Sequence, residues 1–375
     1  MNSSSTYDVI IIGGGLAGLV AATHLGRAGV KIVLIEKYEY PHHKVCGEYV
    51  SNEIMPYLRD LEIDPFSKGA VEISRFEISS RAGELVQATL PLGGFGISRY
   101  RLDAYLYENL PPSVTVVFET AEFATNQGER FMVRTQTGST FCGDVVLGAF
   151  GKRSLMDTTL KRDFSNHRSP WLAVKAHYDY PFPSDKVALH NFDGGYCGLS
   201  RVEDEIVNAC YLTNYRSFKK YGSIDNFQQE LMSQNKYLRH FFSHAKPRFE
   251  RPLTISQVSF SKKKSIVDGI FMIGDSAGLI HPLCGNGMAM AIHSAKIFSE
   301  LFLKHNRQPD FDRKQLELTY RQQWEEAFKS RLQTGRRIQQ LLLHPTASQV
   351  GMKIARRFPS IVPKIIKKTH GELLV

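Results

Sequence analysis

Apolar residues fill positions 9–12, stop at Gly13, and recur beyond Gly18 at Leu19, Ala22 and Leu25. A short unbroken apolar run followed by a helical recurrence predicts a buried strand, a tight turn and a helix. Gly29 ends that helix, residues 31–35 form the next apolar strand, and Glu36 closes it. Residues 52–60 and 102–110 read as helices, the second opened by the Arg99 to Asp103 stretch and broken by Pro111 and Pro112. Residues 114–119, 131–135 and 145–147 read as strands. The middle of the chain changes character. Residues 171–180, 187–192, 196–202 and 205–212 are aromatic, β-branched and alternating, joined by Asp193-Gly-Gly and Glu203-Asp, as expected of antiparallel sheet. Residues 224–242 read as a helix covering that sheet. The short apolar strand pattern returns at 269–275, and a helix follows over 287–304.

Gly13, Gly15 and Gly18 stand at Gly-x-Gly-x-x-Gly spacing where the first strand meets its helix. Gly13 makes the turn, Gly15 lets backbone touch a pyrophosphate, and Gly18 lets helix pack closely on strand. With Leu16 and Ala17 they open a helix N-terminus that offers free N–H groups and partial positive charge to phosphates. Glu36, 18 residues after Gly18 and followed by Lys37, is placed to accept hydrogen bonds from an adenosine ribose. The fold class expected is α/β: a doubly wound, Rossmann-like nucleotide lobe with an inserted antiparallel-sheet substrate lobe and a helical C-terminal region. In residues, the nucleotide lobe takes 1–165 and 254–310, the substrate lobe 166–253, and the helical, basic region 311–375.

Composition narrows the class. A hydrophobic share of 42% and a charged share of 22% over 375 residues describe a soluble protein with enough chain for two lobes. The opening residues are polar rather than leader-like and no apolar run is long enough to span a bilayer, so a cytoplasmic location is expected. Five cysteines without Cys-x-x-Cys spacing argue against a disulfide framework and against a metal site. The net charge of +10 is uneven: residues 327–371 carry ten Lys or Arg and no Asp or Glu. Apolar residues interleave with those cations, giving an amphipathic tail that suits either an anionic membrane surface, peripheral to its inner face, or a solvated face packed on the body. Nucleic acid is not an expected partner, since no recognition module or aromatic stacking platform accompanies the charge.

A second stretch, Gly274-Asp275-Ser-Ala-Gly-Leu-Ile-His281-Pro282-Leu-Cys-Gly285-Asn286-Gly287-Met288, ends a strand with a carboxylate and continues into a glycine turn and a helix. Ligands bind at that end of doubly wound sheets. With it, residues 7–304 resemble the flavoprotein superfamily that joins class A aromatic monooxygenases to geranylgeranyl reductases. The resemblance implies FAD, with Gly13, Gly15, Gly18 and Glu36 at the adenosine half and Arg99, of the Arg-x-x-hydrophobic-Asp motif ending in Asp103, near the ribityl and pyrophosphate chain. It puts Asp275 on the ribityl hydroxyls and Pro282, Gly285 and Gly287 at the flavin's pyrimidine edge, with Asn286 and Met288 of the same stretch also counted as cofactor-binding. One motif departs from the family: where an Asp is usual, this chain has Phe150, followed by Gly151-Lys152-Arg153. Phe150 accepts no hydrogen bond and the sequence has no second glycine fingerprint, so NADPH or NADH is expected only as a transient reductant, or a separate reductase supplies electrons.

Lys44-Val-Cys46-Gly47-Glu48 resembles a stretch of the geranylgeranyl reductase branch, in a loop near the flavin face. Candidate catalytic residues are Cys46, Glu48 as an acid or base, and His281. Phe192, Tyr196 and Tyr211 are candidates for an apolar pocket for a hydrophobic or aromatic small molecule. The resemblance allows two reactions: hydroxylation of an aromatic or lipid-like substrate, such as a phenolic lipid or quinone precursor, through a flavin hydroperoxide, which is preferred; or reduction of isoprenoid carbon–carbon double bonds. A non-enzymatic prenyl-lipid carrier is the alternative from another class, and a halogenase is disfavoured because Trp171 and Trp324 stand isolated.

Overall fold

The computed structural model describes residues 6–306, 312–343 and 345–375, and it is an α/β fold built on two sheets. In the first, Thr6–Ile12 lies between Ile32–Glu36 and Thr140–Gly148, both parallel to it, with Ile11 level with Leu34 on one side and Leu147 on the other. Val114–Phe118 and Ile270–Met272 extend the sheet at either end, also in parallel. Val9, Ile10, Ile11, Val33 and Val146 are wholly buried, which is why these strands read as unbroken apolar runs rather than alternations. The helices Leu16–Arg27 and Gly287–Asn306 pack against each other, bringing the two glycine-rich corners together although they lie far apart in sequence.

The second sheet has Trp171–Asp179, Ile206–Asn214, Gly195–Arg201 and Lys186–Phe192 side by side and antiparallel, as the alternation predicts. It does not stop there. Val71–Ser79 pairs in parallel with Lys186–Phe192, and Leu85–Gly96 and Tyr49–Ser51 follow. This corrects the expected division, which left residues 49–96 in the nucleotide lobe. A bulge between Ile73 and Arg75 shifts the core-facing set from Ile73 to Phe76 and Ile78, so the two-residue period breaks in mid-strand. The helix expected over 224–242 is also interrupted, becoming Ile224–Asn226, a wide turn at Phe227–Leu231, a tight one at Met232–Gln234, and Lys236–His244. Fully buried Asn235 pulls the chain out of helix there: its amide donates to Ser79 Oγ, Ser80 O and Asn191 O at 2.8, 3.1 and 3.0 Å.

The C-terminal region is helical. Arg313–Leu343 buries Leu316, Tyr320 and Phe328 against Gly287–Asn306, and Tyr320 Oη donates to Met272 O at 2.6 Å. Pro345–Arg357 and Ile361–Thr369 then fold over the second sheet as a roof. The expected boundary at 310/311 and the polar opening at 1–5 lie outside the described residues. Among the described residues no helix is long and apolar enough to cross a membrane.

Candidate active site where the two sheets meet

The glycine turn is built by close approach. A Cβ on Gly18 would lie 2.0 Å from Gly13 O, and one on Gly13 2.5 Å from Ala149 O, so the helix rests directly on strand ends. Gly15 differs: a Cβ there would meet only Arg99 Nη2 at 3.7 Å and Lys44 Nζ at 3.9 Å. The turn therefore faces two cations across open space. Glu36 is buried behind it, and its carboxylate accepts the Gly14 N–H at 2.7 Å and the Lys37 and Tyr38 N–H groups at 3.0 and 3.2 Å.

Arg99 and Lys44 are themselves placed by Asp103. Arg99 grips its carboxylate with two bonds of 2.7 and 2.6 Å, and Lys44 Nζ lies 3.1 Å from Oδ2. Burial opposes the charge on Arg99, but Asp103 outweighs it and holds the guanidinium above its ordinary range; burial likewise opposes the Asp103 carboxylate, which Arg99 and Lys44 keep low. Two cations against one carboxylate leave a surplus positive charge beside the glycine turn and the helix start, a setting that favours a pyrophosphate.

The later corner closes the cleft from the other side. Asp275, Pro282, Gly285, Gly287 and Met288 border it together with Gly15, Leu16, Ala17 and Lys37. Two predicted residues of this corner do not. Asn286 is fully buried and turns its amide away to donate to Glu53 Oε2 at 3.0 Å. His281 lies off the cleft, in a cage of Trp171, Tyr196 and Phe260 rings, and accepts the Leu283 N–H at the start of the Pro282–Cys284 turn. Burial depresses its pKa to about 3, so it is a neutral cap for the turn rather than a group on the reacting face. Phe150 borders the cleft at the position where the related motif carries an acid.

The Val45 to Glu48 loop is pinned one residue at a time by distant side chains. Lys152 Nζ donates to Val45 O at 2.9 Å, Asn208 Nδ2 to Cys46 O at 3.2 Å, and Ser200 Oγ to Gly47 O at 3.2 Å. Glu48, with a left-handed φ of 55° and no exposure, accepts from Lys175 Nζ, from His177 Nε2 at 2.7 Å and from the Arg99 N–H at 2.8 Å. Burial raises its pKa, but Lys175 and His177 more than offset this and hold it at about 2. A carboxylate so placed is held ionised and anchors the loop at the cleft wall; Cys46 also borders the cleft, half-buried. Lys175, His177, Ser200 and Asn208 carried no motif in the sequence. Their one signal is parity: Lys175 pairs with Cys210, His177 with Asn208 and Ser200 with Asn208, all on one sheet face.

The same parity sorts the aromatics. Tyr196 faces the cleft with Leu212 and Leu189. Phe192 points to the opposite face and packs on Phe227, which corrects its expected place in the pocket. Tyr211 borders the cleft, yet its ring stacks on Phe227 at 6.0 Å, behind the sheet. Beyond the glycine corners the cleft continues into a chamber lined by Phe76, Ile78, Leu90, Val187, Leu189 and the inner faces of the roof helices; the whole has a volume of about 900 Å³. Fully buried Glu53 ties roof to floor: it accepts from Arg331 Nη1 at 2.9 Å, from Asn286 and from the Gly371 N–H, and its carbonyl accepts the Leu374 N–H at 2.7 Å.

Residues 6–307 match the family model described as "FAD binding domain". The chain belongs to this FAD-binding family. It is 25% identical over 352 residues to the digeranylgeranylglycerophospholipid reductase of Methanosarcina acetivorans, covering 85% of this chain and 81% of that one. It is 23% identical over 346 residues to the FAD-dependent monooxygenase janM of Penicillium janthinellum, covering 82% and 69%. In fold it is similar to PqsL, a probable FAD-dependent monooxygenase from Pseudomonas aeruginosa, with a TM-score of 0.74 at 16% identity over 93% of this chain and 99% of that one. The cofactor of this FAD protein fits the cleft: the open space at Gly15 faces Arg99 and Lys44, and Asp275 and the Gly285–Gly287 turn border the far end. Lys44→Met is expected to weaken FAD binding about tenfold, since it removes one charge-assisted contact while Arg99 still neutralises Asp103. Titrating apoprotein with FAD by flavin fluorescence checks this; an unchanged Kd would place the pyrophosphate elsewhere.

Proposed function

We propose that this FAD-dependent oxidoreductase is a monooxygenase that hydroxylates an aromatic head borne on an apolar chain, as in a phenolic lipid or quinone precursor. The observation that carries this reading is that, among the described residues, the cofactor cleft and the apolar chamber form one continuous cavity, so that a ring can lie beside Cys46 and Tyr196 while its chain runs under the roof. Bound FAD supplies the redox chemistry, and the protein supplies position and dryness. Arg99, Lys44 and Asp275 would hold the cofactor, the anchored Val45 to Glu48 loop would fix one wall beside it, and Leu189, Leu212 and Tyr196 would keep water from the substrate. Phe150 offers no hydrogen bond to a nicotinamide cofactor, which supports a transient NADPH or NADH or a separate reductase as electron source.

Double-bond reduction of an isoprenoid chain is the second reading. The Lys44-Val-Cys46-Gly47-Glu48 loop at the cleft and the near full-length likeness to a digeranylgeranylglycerophospholipid reductase favour it. The expected result is a yellow protein that, supplied with NADPH or a reductase, consumes oxygen with alkylphenols and returns product heavier by one oxygen. Product heavier by two hydrogens, formed without oxygen from an isoprenoid lipid, would replace the first reading with the second. A colourless protein that cannot be reconstituted would support a lipid carrier.

A further inference from the structure

The roof helices have two faces. Inward, Met352, Val362 and Ile366 are buried against Ile73, Val86 and Leu90 of the second sheet. Leu341 near the end of Arg313–Leu343, Ile354 and Ile365 on the roof helices, and Phe358 in the link between those two helices are 47, 47, 42 and 55% exposed, far more than large apolar side chains in a packed core. Three of these, Leu341, Ile354 and Ile365, also border the chamber, so they form an apolar collar at its opening. Around the collar the exposed side chains are basic: Lys353, Arg356, Arg357, Lys364, Lys367 and Lys368. Their acidic neighbours are few. Arg356 reaches Glu84 at 4.0 Å while staying 69% exposed, and no Asp or Glu occurs anywhere in residues 327–371.

We propose that this collar docks on an anionic lipid bilayer, with Phe358, Ile354 and Ile365 entering the headgroup boundary and the cations meeting anionic lipid heads, so that the chamber mouth opens onto the membrane. The proposal rests on the reading of an apolar-chain substrate. A chain held in the bilayer then reaches the chamber without crossing water, and the charge surplus selects an anionic surface over a neutral one. A second copy of this chain is a poorer occupant, because its own collar carries the same positive charge.

The test uses the FAD-loaded full chain and vesicles of pure phosphatidylcholine or of phosphatidylcholine with phosphatidylglycerol, scored by flotation. Binding is expected only to the anionic vesicles and to fall as salt rises. Lys353→Gln with Arg356→Gln and Arg357→Gln is expected to weaken binding about a hundredfold. Phe358→Ser alone is expected to weaken it about tenfold, because that ring would no longer be buried. Neither variant touches the cleft, so flavin content and turnover of a short-chain, water-soluble phenol should match the parent. Equal binding to both vesicle types, or anionic binding that survives both variants, overturns the proposal. So does a dimer in light scattering that Phe358→Ser dissolves, since a second copy then covers the collar. Failure to hydroxylate any phenol, with vesicle binding intact, would sink the reaction assignment and leave the docking surface standing.

Discussion

Replacing Glu48 by Gln is expected to cost roughly 3 to 5 kcal/mol of stability, the range for breaking a buried ion pair from one side. The cost arises on the partner: Lys175 has no exposure and would keep a charge with no carboxylate beside it. The double variant Glu48→Gln with Lys175→Met should recover much of the loss, because removing both charges also removes the burial penalty. Urea unfolding of the single and double variants checks this, and strictly additive losses would show that the two groups are not coupled. The same pair sets an acid limit. Glu48 is held at about 2 against an ordinary 4.5, so its contribution is complete above about 4.5 and is lost as pH falls through that range toward 2. Melting curves of the parent should fall across that window more steeply than those of Glu48→Gln.

Glu53→Gln is expected to loosen the roof by roughly 2 to 3 kcal/mol, the strength of charge-assisted hydrogen bonds in a buried site. Arg331 is 13% exposed on its side chain and can find water, which keeps the effect below that of Glu48. Glu53 bonds both the Gly371 N–H of the tail and Asn286 in the cofactor turn, so one substitution should reach both ends of the cleft. Amide exchange over residues 361–374 should speed up roughly 30- to 100-fold, at about 1.4 kcal/mol per factor of ten, and FAD binding should weaken alongside it. Exchange that stays at the parental rate would show that the helices hold to the sheet without Glu53.

The two halves of the cofactor site were legible for a physical reason. A pyrophosphate is bound by backbone at a strand–turn–helix corner, and such a corner is encoded within a short run of consecutive residues: Gly13 to Gly18 in one case, Gly274 to Gly287 in the other. Glu36 follows at a separation that the geometry of one helix and one strand determines. The substrate side was legible only in type. Its strands announce themselves by alternation, but which parity faces inward depends on how the sheet is mounted, so Phe192, a pocket candidate by its sequence, lies behind the sheet. The bulge after Ile73 hid Val71–Ser79 from the same pattern.

What the sequence determined by itself was an α/β chain with an FAD-type corner at each end and a basic, amphipathic tail, because each of these is written in neighbouring residues. Tertiary structure alone decided that Glu48 is buried between Lys175 and His177, that His281 caps a turn away from the cleft, and that the tail roofs an apolar chamber. The anchoring of Glu48 and of the roof depends on Lys175, His177 and Arg331 meeting carboxylates more than a hundred residues away in the chain. Such meetings follow from which surfaces a fold brings together and how completely it removes them from water.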